Sequence, residues 1–194
     1  KKTYMRIAII SGSARTNNNT IRVAKAIQRV LSSAHQVTII DFIHYDIPLM
    51  AQGGMNAAAL TPFQSGLIQA IDEAHVVVMI SPEYNWSTTP EILNMLHYLP
   101  NKPFQDLFNN KVFAFVGVST GKGGKTPAIH LMQILNKLIS FSNHDSIVSA
   151  KIFESHFTKE VLDAEGISLG NEMYDLGLKD FCNYTIRMAQ RWFK

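Results

Sequence analysis

Val76-Val77-Val78-Met79-Ile80-Ser81-Pro82-Glu83-Tyr84-Asn85-Trp86-Ser87-Thr88-Thr89-Pro90 starts as an unbroken apolar run rich in β-branched residues and ends as a polar, aromatic loop. Such a run suits a parallel strand buried on both faces. Pro90 stands where a helix can begin, since a proline in the first turn gives up no hydrogen bond. Glu91-Ile92-Leu93-Asn94-Met95-Leu96 continues from it. The stretch reads as strand, exposed loop, helix. In open α/β sheets, ligands bind at the loops that leave the carboxyl ends of strands. This loop is therefore expected to border a binding site.

The same alternation recurs on both sides of it. Ile7-Ala8-Ile9-Ile10 is a short strand, broken by Gly12 and Asn17-Asn18-Asn19. Val23, Ala24, Ile27, Val30 and Leu31 then fall at helical spacing, with Arg22, Lys25, Gln28 and Arg29 on the other face. Val37-Thr38-Ile39-Ile40 is a second strand ending at Asp41, and residues 42–60 read as a long loop. Thr61-Pro62 opens a helix that turns Phe63, Leu67, Ile68 and Ile71 inward, with Thr61 as its cap. The helix after Pro90 is ended by Asn101-Lys102-Pro103. Val112-Phe113-Ala114-Phe115-Val116 is a fourth strand, and a glycine-rich loop follows it from Gly117 to Lys125. Thr126-Pro127 is expected to cap the next helix, which carries Ile129, Leu131, Met132, Leu135 and Leu138. Residues 146–153 predict one continuous fifth strand, alternating as a half-exposed edge does. Residues 154–170 have no clear period, and a last helix is predicted from about Asn171 to Trp192. Strands alternating with helices predict an α/β fold, a parallel sheet covered by helices on both faces. Right-handed crossovers leave few topologies, and the doubly wound five-stranded order 2-1-3-4-5 is the expected one. Nothing divides the chain, so residues 1–194 are expected to form a single domain.

Composition narrows the function. The 194 residues are 46% hydrophobic and 17% charged, ordinary for a globular protein. The formal charge of +3 is spread out, with no basic run longer than Lys1-Lys2. A nucleic-acid binder usually carries a basic stripe, so no nucleic-acid partner is expected, while a modest positive field favours anionic ligands. The one cysteine, Cys182, cannot form an internal disulfide, which suits a reducing, cytoplasmic setting. The apolar run after Arg6 is too short for a secretory core, and none reaches the length of a membrane span. The seven histidines are scattered without metal-ligand spacing, so no metal is expected.

Three loops carry the chemistry, because the predicted order brings the ends of strands 1, 3 and 4 to the switch point of the sheet. The first runs Ser11-Gly12-Ser13-Ala14-Arg15-Thr16-Asn17-Asn18-Asn19-Thr20 into a helix. Hydroxyls, freed N–H groups, a guanidinium and a helix N-terminus suit a phosphate. A capped turn with a surface arginine fits equally. The second is the loop quoted at the outset. Pro82, Tyr84 and Trp86 offer flat surface, and Glu83 reads either as a general acid or as a residue that shapes the loop. The third is Gly117-Val118-Ser119-Thr120-Gly121-Lys122-Gly123-Gly124-Lys125-Thr126. Gly117 to Gly121 formally matches the G-x-S-x-G elbow of serine hydrolases, although several residues separate Ser119 from the helix. Ser119 to Thr126 nearly matches a nucleotide P-loop, with Ser119 in place of its first glycine. The third alternative is a glycine loop whose backbone approaches a flat ring closely.

Taken together these loops resemble the NAD(P)H-dependent FMN reductases of flavodoxin-like fold, which include quinone and azo-dye reductases. Ile10-Ser11-Gly12-Ser13-Ala14-Arg15 resembles that family's G-S-x-R loop. Ser81-Pro82-Glu83-Tyr84-Asn85, with Ser87 and Pro90, resembles its S-P-E-Y-N-x-S-x-P segment, and Ser119 to Gly124 its S-x-G-x-x-G-G loop. The resemblance covers roughly residues 6–153. It implies that Ser13, Arg15, Asn18 and Thr20 hold the FMN phosphate. It also implies that Pro82, Glu83, Tyr84 and Asn85 border the flavin ring and that Ser119, Gly121 and Gly124 close over it. Asn18 replaces the family's usual serine, and one extra residue precedes Pro90. The resemblance further implies NADPH or NADH as co-substrate and a small acceptor, such as a quinone, an azo compound or free flavin. The flavin would then carry the chemistry, with no indispensable side-chain nucleophile or acid. A homodimer or homotetramer is implied as well, for which Ile92, Met95, Leu96, Tyr98 and Leu99 offer an apolar contact, unless they are core. The competing functions are an FMN-holding electron carrier, disfavoured by the basic charge, and a hydrolase using Ser119 with His156 and Asp163 or Asp145.

Overall fold

The apolar runs become the middle of a parallel sheet. The computed structural model describes residues 4–194, so the Lys1-Lys2 pair lies outside the described residues. Strands β1 (Arg6–Ser11), β2 (Gln36–Asp41), β3 (Val76–Pro82), β4 (Val112–Val118) and β5 (Ile147–Val148) lie in the order β2-β1-β3-β4-β5. All pairs are parallel, with Ile9 opposite Ile39 and Val78, and Val78 opposite Ala114. β3 and β4 are buried almost from end to end, as their unbroken apolar sequence requires. Helices α1 (Asn19–Leu31), α2 (Pro62–Glu73), α3 (Pro90–Tyr98), α4 (Lys125–Ser142), α5 (Thr158–Val161) and α6 (Glu172–Trp192) cover both faces.

Alternate residues of each strand feed two cores. Ile7, Ile9, Val76, Val78 and Ile80 pack on the face of α1 and α6 with Val23, Ile27 and Phe181. Ala8, Ile10, Val77 and Met79 pack on the opposite face with Leu67, Met95, Phe115 and Leu131. Cys182 is buried in the first core, and burial pushes its thiol up to about 12. Among the described residues no helix is long and apolar enough to cross a membrane, and no group of acidic, His or Cys side chains is arranged to hold a metal.

Two expectations are corrected and one open alternative is decided. The fifth strand is not continuous: Ile147–Val148 (β5) pairs with Val112 and Phe113, and Phe153–Ser155 (β6) pairs with Val116 to Val118. The offset between partners grows from 35 to 37, so two extra residues loop out between the pieces. The helix expected to be capped at Thr126-Pro127 starts at Lys125, with Gly124 at the cap in left-handed backbone (φ 96°). Pro127 is tolerated one turn in because those N–H groups have no intrahelical partner. Ile92, Met95, Leu96 and Leu99 are all core, at most 2% exposed, and offer no apolar surface to a partner.

One cap falls where the sequence places it, at Thr61, and the helix at Pro90 has its own cap one residue earlier. Thr61 forms a full capping box with Gln64, and Thr89 caps α3. The long loop after β2 is held by one buried residue of α3. Asn94 Nδ2 donates to Tyr45 Oη (2.7 Å) and Pro48 O (2.8 Å), and Asn94 Oδ1 accepts from Met50 N–H (2.9 Å). Asn94→Ala should cost about 2–3 kcal/mol in urea unfolding, because it strands several buried partners at once. A loss below about 0.5 kcal/mol would show that water replaces the amide.

Candidate functional site

Loops after β1, β3 and β4 meet at the carboxyl end of the sheet, and hydrogen bonds lock each to the next. In the first loop a Cβ on Gly12 would lie 2.1 Å from Ile92 Cδ1 and 2.8 Å from Ile80 O, so only glycine fits there. Gly12 N–H donates to Ile80 O (2.9 Å), and Thr89 Oγ1 donates to Gly12 O (2.8 Å). Asn18 is the cap of α1: its Oδ1 accepts from Ile21 N–H (2.8 Å) and Thr20 Oγ1 (2.6 Å). Its Nδ2 donates to Arg15 O (2.9 Å). Thr20 is fully buried, its hydroxyl between Ser11 Oγ and Asn18 Oδ1. Both residues therefore shape the loop with the same atoms that the resemblance would turn toward a phosphate.

What remains open in this loop is a set of donors. The N–H groups of Ser13, Ala14, Thr16 and Asn17 find no acceptor among the described residues. The Arg15 guanidinium has no acid partner there and rests over the Tyr84 ring, 4.4 Å from its centroid. Ser13 Oγ lies 3.5 Å from Tyr84 Oη.

The second loop is a tight hairpin. Tyr84 and Ser87 exchange both backbone hydrogen bonds (3.0 and 2.9 Å) around Asn85 and Trp86, which have φ of 49° and 63°. Two consecutive positive φ values are those of a type I′ turn, which suits Asn but is uncommon for a bulky residue such as Trp. The turn leaves Trp86 77% exposed at the rim.

The third loop folds back on its own strand. A Cβ on Gly117 would sit 1.6 Å from Gly124 O. Glu83 Oε2 accepts from Gly124 N–H (2.5 Å), and Glu83 N–H donates to Val118 O (2.8 Å). Glu83 thus joins the second loop to the third and shapes both. Ser119 Oγ accepts from Gly121 N–H (3.2 Å). His156 Nδ1 accepts from Gly123 N–H (3.1 Å), and its Nε2 faces Glu154 at 3.6 Å. Neither histidine nitrogen is turned to Ser119, so the elbow geometry of a serine hydrolase is not formed.

These loops enclose a cavity of about 290 Å³ that Ser13, Arg15, Asn18, Pro82, Glu83 and Tyr84 line. Asn85, Ser119, Gly121 and Gly124 stand in the surrounding loops, and Thr20 lies beneath it. Thr120 and Lys159 also line it, and neither is among the residues to which the sequence motifs point. Thr120 lies inside a loop already singled out, whereas Lys159 sits in the stretch without period. A larger hollow of about 540 Å³ beside β2, bordered by Asp41, His44 and Phe63, lies away from the three loops.

The donor set fits a phosphate ester: free N–H groups before a helix, a hydroxyl and a guanidinium. Pro82, Tyr84 and the glycine loop supply flat walls for a ring. Sheet order and site geometry define a flavodoxin-like α/β protein. Flavodoxin 1 of Bacillus cereus superposes with a TM-score of 0.58 at 8% identity, covering 95% of this chain and 98% of that one. The flavoenzyme NAD(P)H:(acceptor) oxidoreductase FerB of Paracoccus denitrificans superposes with a TM-score of 0.75 at 20% identity, covering 96% and 98%. In sequence, the quinone reductase of Escherichia coli K12 is 26% identical over 131 residues, 68% of this chain and 69% of that one. Residues 5–153 match the NADPH-dependent FMN reductase family, and the chain belongs to it. It is an oxidoreductase that works with FMN as cofactor and NAD(P)H as co-substrate.

Proposed function

We propose that this chain passes electrons from NAD(P)H to a small quinone-type acceptor through FMN held in the three-loop cavity. The observation that carries the reading is the meeting of Arg15, Ser13 and unpaired N–H groups at one end of a cavity walled by Pro82 and Tyr84. Bound FMN would accept and return the reducing equivalents. The chain's own part is to hold and orient. Ser13, Arg15 and the N–H groups of the first loop bind the phosphate. Glu83 keeps the second and third loops at a set distance, so that a ring entering between them meets fixed walls. Asn85, Ser119, Gly121 and Gly124 frame the ring's edge and cover. The exposed Trp86 offers a flat face to an aromatic acceptor. Support for a quinone comes from the relatives named above. Residues 1–194 would act as one unit, as a homodimer or homotetramer in the cytoplasm. Ile92, Met95, Leu96 and Leu99 are core and take no part in such a contact, while Tyr98 is only half-buried.

The purified protein should be yellow or turn yellow with added FMN, and should oxidise NADPH when a benzoquinone is supplied. Flavin binding without NAD(P)H oxidation would make it a carrier. A protein that binds no FMN would overturn the reading, and labelling of Ser119 by a serine-directed phosphonate would favour the hydrolase. Light scattering checks the assembly.

A further inference from the structure

The family match ends at residue 153, yet the chain beyond it reaches back to the cavity. After β6, Phe157 adopts left-handed backbone (φ 46°) and turns the chain into the single turn of α5. Five hydrogen bonds tie this segment to the third loop. Ser119 N–H donates to Ser155 O (2.9 Å), and Phe157 N–H donates to Gly121 O (3.1 Å). Thr158 gives both its N–H (3.4 Å) and its hydroxyl (3.3 Å) to Ser119 O. Gly123 N–H donates to His156 Nδ1 (3.1 Å). Ser155 and Thr158 are fully buried, their hydroxyls 2.8 Å apart, and Ser155 Oγ also meets Tyr174 Oη at 2.9 Å. The turn is therefore anchored from below by α6 and from the side by the glycine loop.

What this anchored turn delivers is Lys159, on the wall of the same cavity as Arg15. The Lys159 ammonium has no hydrogen bond or ion pair with any described residue, and the Arg15 guanidinium has none either. Of the nearby acids, Glu83 holds Gly124 N–H, Glu154 faces His156, and Glu160 borders a separate hollow with Glu154 and His156 rather than this cavity. Two exposed cations without a protein counter-ion line one cavity, and an anion bound between them would be attracted by both. A phosphate monoester carries a charge of about −1.5 to −2 at neutral pH and three acceptor oxygens. One guanidinium compensates a monoanion; a second cation matches the dianion.

We propose that Lys159 is a second phosphate-binding cation of this site, held in place by the segment 155–158 that also clamps the glycine loop. The proposal rests on the reading of the cavity as an FMN site. Lys159 then contributes to the choice of FMN over riboflavin, which differs by the phosphate alone. It also links the two ends of the cofactor, since the backbone that positions the lysine is hydrogen-bonded to the loop over the ring.

The test is flavin binding to apoprotein by fluorescence quenching, with FMN and riboflavin titrated separately. Lys159→Ala should weaken FMN about tenfold, the low end for a hydrogen bond to a charged group because the lysine is exposed. Riboflavin affinity and the thermal melt should not change, and Lys159→Arg should bind FMN nearly as the wild type does. FMN affinity within about twofold of wild type in Lys159→Ala would overturn the proposal. So would unchanged FMN binding with a fall in the preference for NADPH over NADH, since the lysine would then serve the dinucleotide's 2′-phosphate. If wild-type apoprotein binds neither flavin, the FMN reading itself fails, which is a distinct outcome from a defect confined to the variant.

Discussion

Gly117→Ala should unfold or strongly destabilise the end of β4 and abolish flavin retention, at a cost of at least about 3 kcal/mol, the upper end for overpacking. The new methyl would overlap backbone, lying 1.6 Å from Gly124 O, 2.4 Å from its carbonyl carbon and 2.9 Å from its Cα. None of these can swing aside as a side-chain end does. β4 cannot retreat, because Gly117 is paired with Ser81 on one side and Glu154 on the other. Gly124 cannot retreat either without breaking its bond to Glu83 and its left-handed cap of α4. Gly121→Ala is the control, since its Cβ would have nothing within 4 Å. Urea unfolding of both variants checks this. Equal stabilities would mean that the third loop is not packed on its strand.

The second large effect concerns Arg15. Arg15→Ala should weaken FMN by about 1.5–3 kcal/mol, roughly 10- to 150-fold, if the guanidinium bonds the phosphate. The fold should be nearly untouched, within about 0.5 kcal/mol, because Arg15 is exposed and makes no ion pair. Arg15→Lys should recover part of the loss: the charge stays, while the bidentate fork and the stacking on Tyr84 are lost. Titration of apoprotein with FMN measures the two affinities, and urea unfolding checks the fold. Unchanged affinity in Arg15→Ala would remove Arg15 from the phosphate site. Together with Lys159→Ala it also measures coupling, and a double variant that loses less than the sum of the singles would show both cations acting on one anion.

The sheet was legible because its signals are local. An unbroken β-branched run can be buried on two faces without any polar group left unpaired, and Thr61 stands where a helix needs a cap. The fifth strand was not legible in detail, since residues 146–153 look continuous until they are set against β4. Only there do two residues prove surplus to the register. The start of α4 was misplaced for a similar reason. Thr126-Pro127 is a good local cap, but Gly124 is drawn into that place by its packing on Gly117 and its bond to Glu83.

The site divides in the same way. Residue types and spacing pointed to three loops and to a cavity between them, and Glu83 was already a candidate for shaping rather than chemistry. Its partner, 41 residues away, is visible only in the folded chain. Apolar spacing in α3 cannot say whether Ile92, Met95, Leu96 and Leu99 meet the sheet or another subunit, because both surfaces demand the same pattern. The tertiary structure decides it by burying them. By itself the sequence determined the first four strands and the three loops, which follow from periodicity and turn chemistry over a few residues, while the strand order follows from the crossover rule applied to them. Tertiary structure alone decided the break in the fifth strand, the lock between Glu83 and Gly124, and the arrival of Lys159. Each of these depends on register and hydrogen bonds between segments far apart in the chain, which no local pattern encodes.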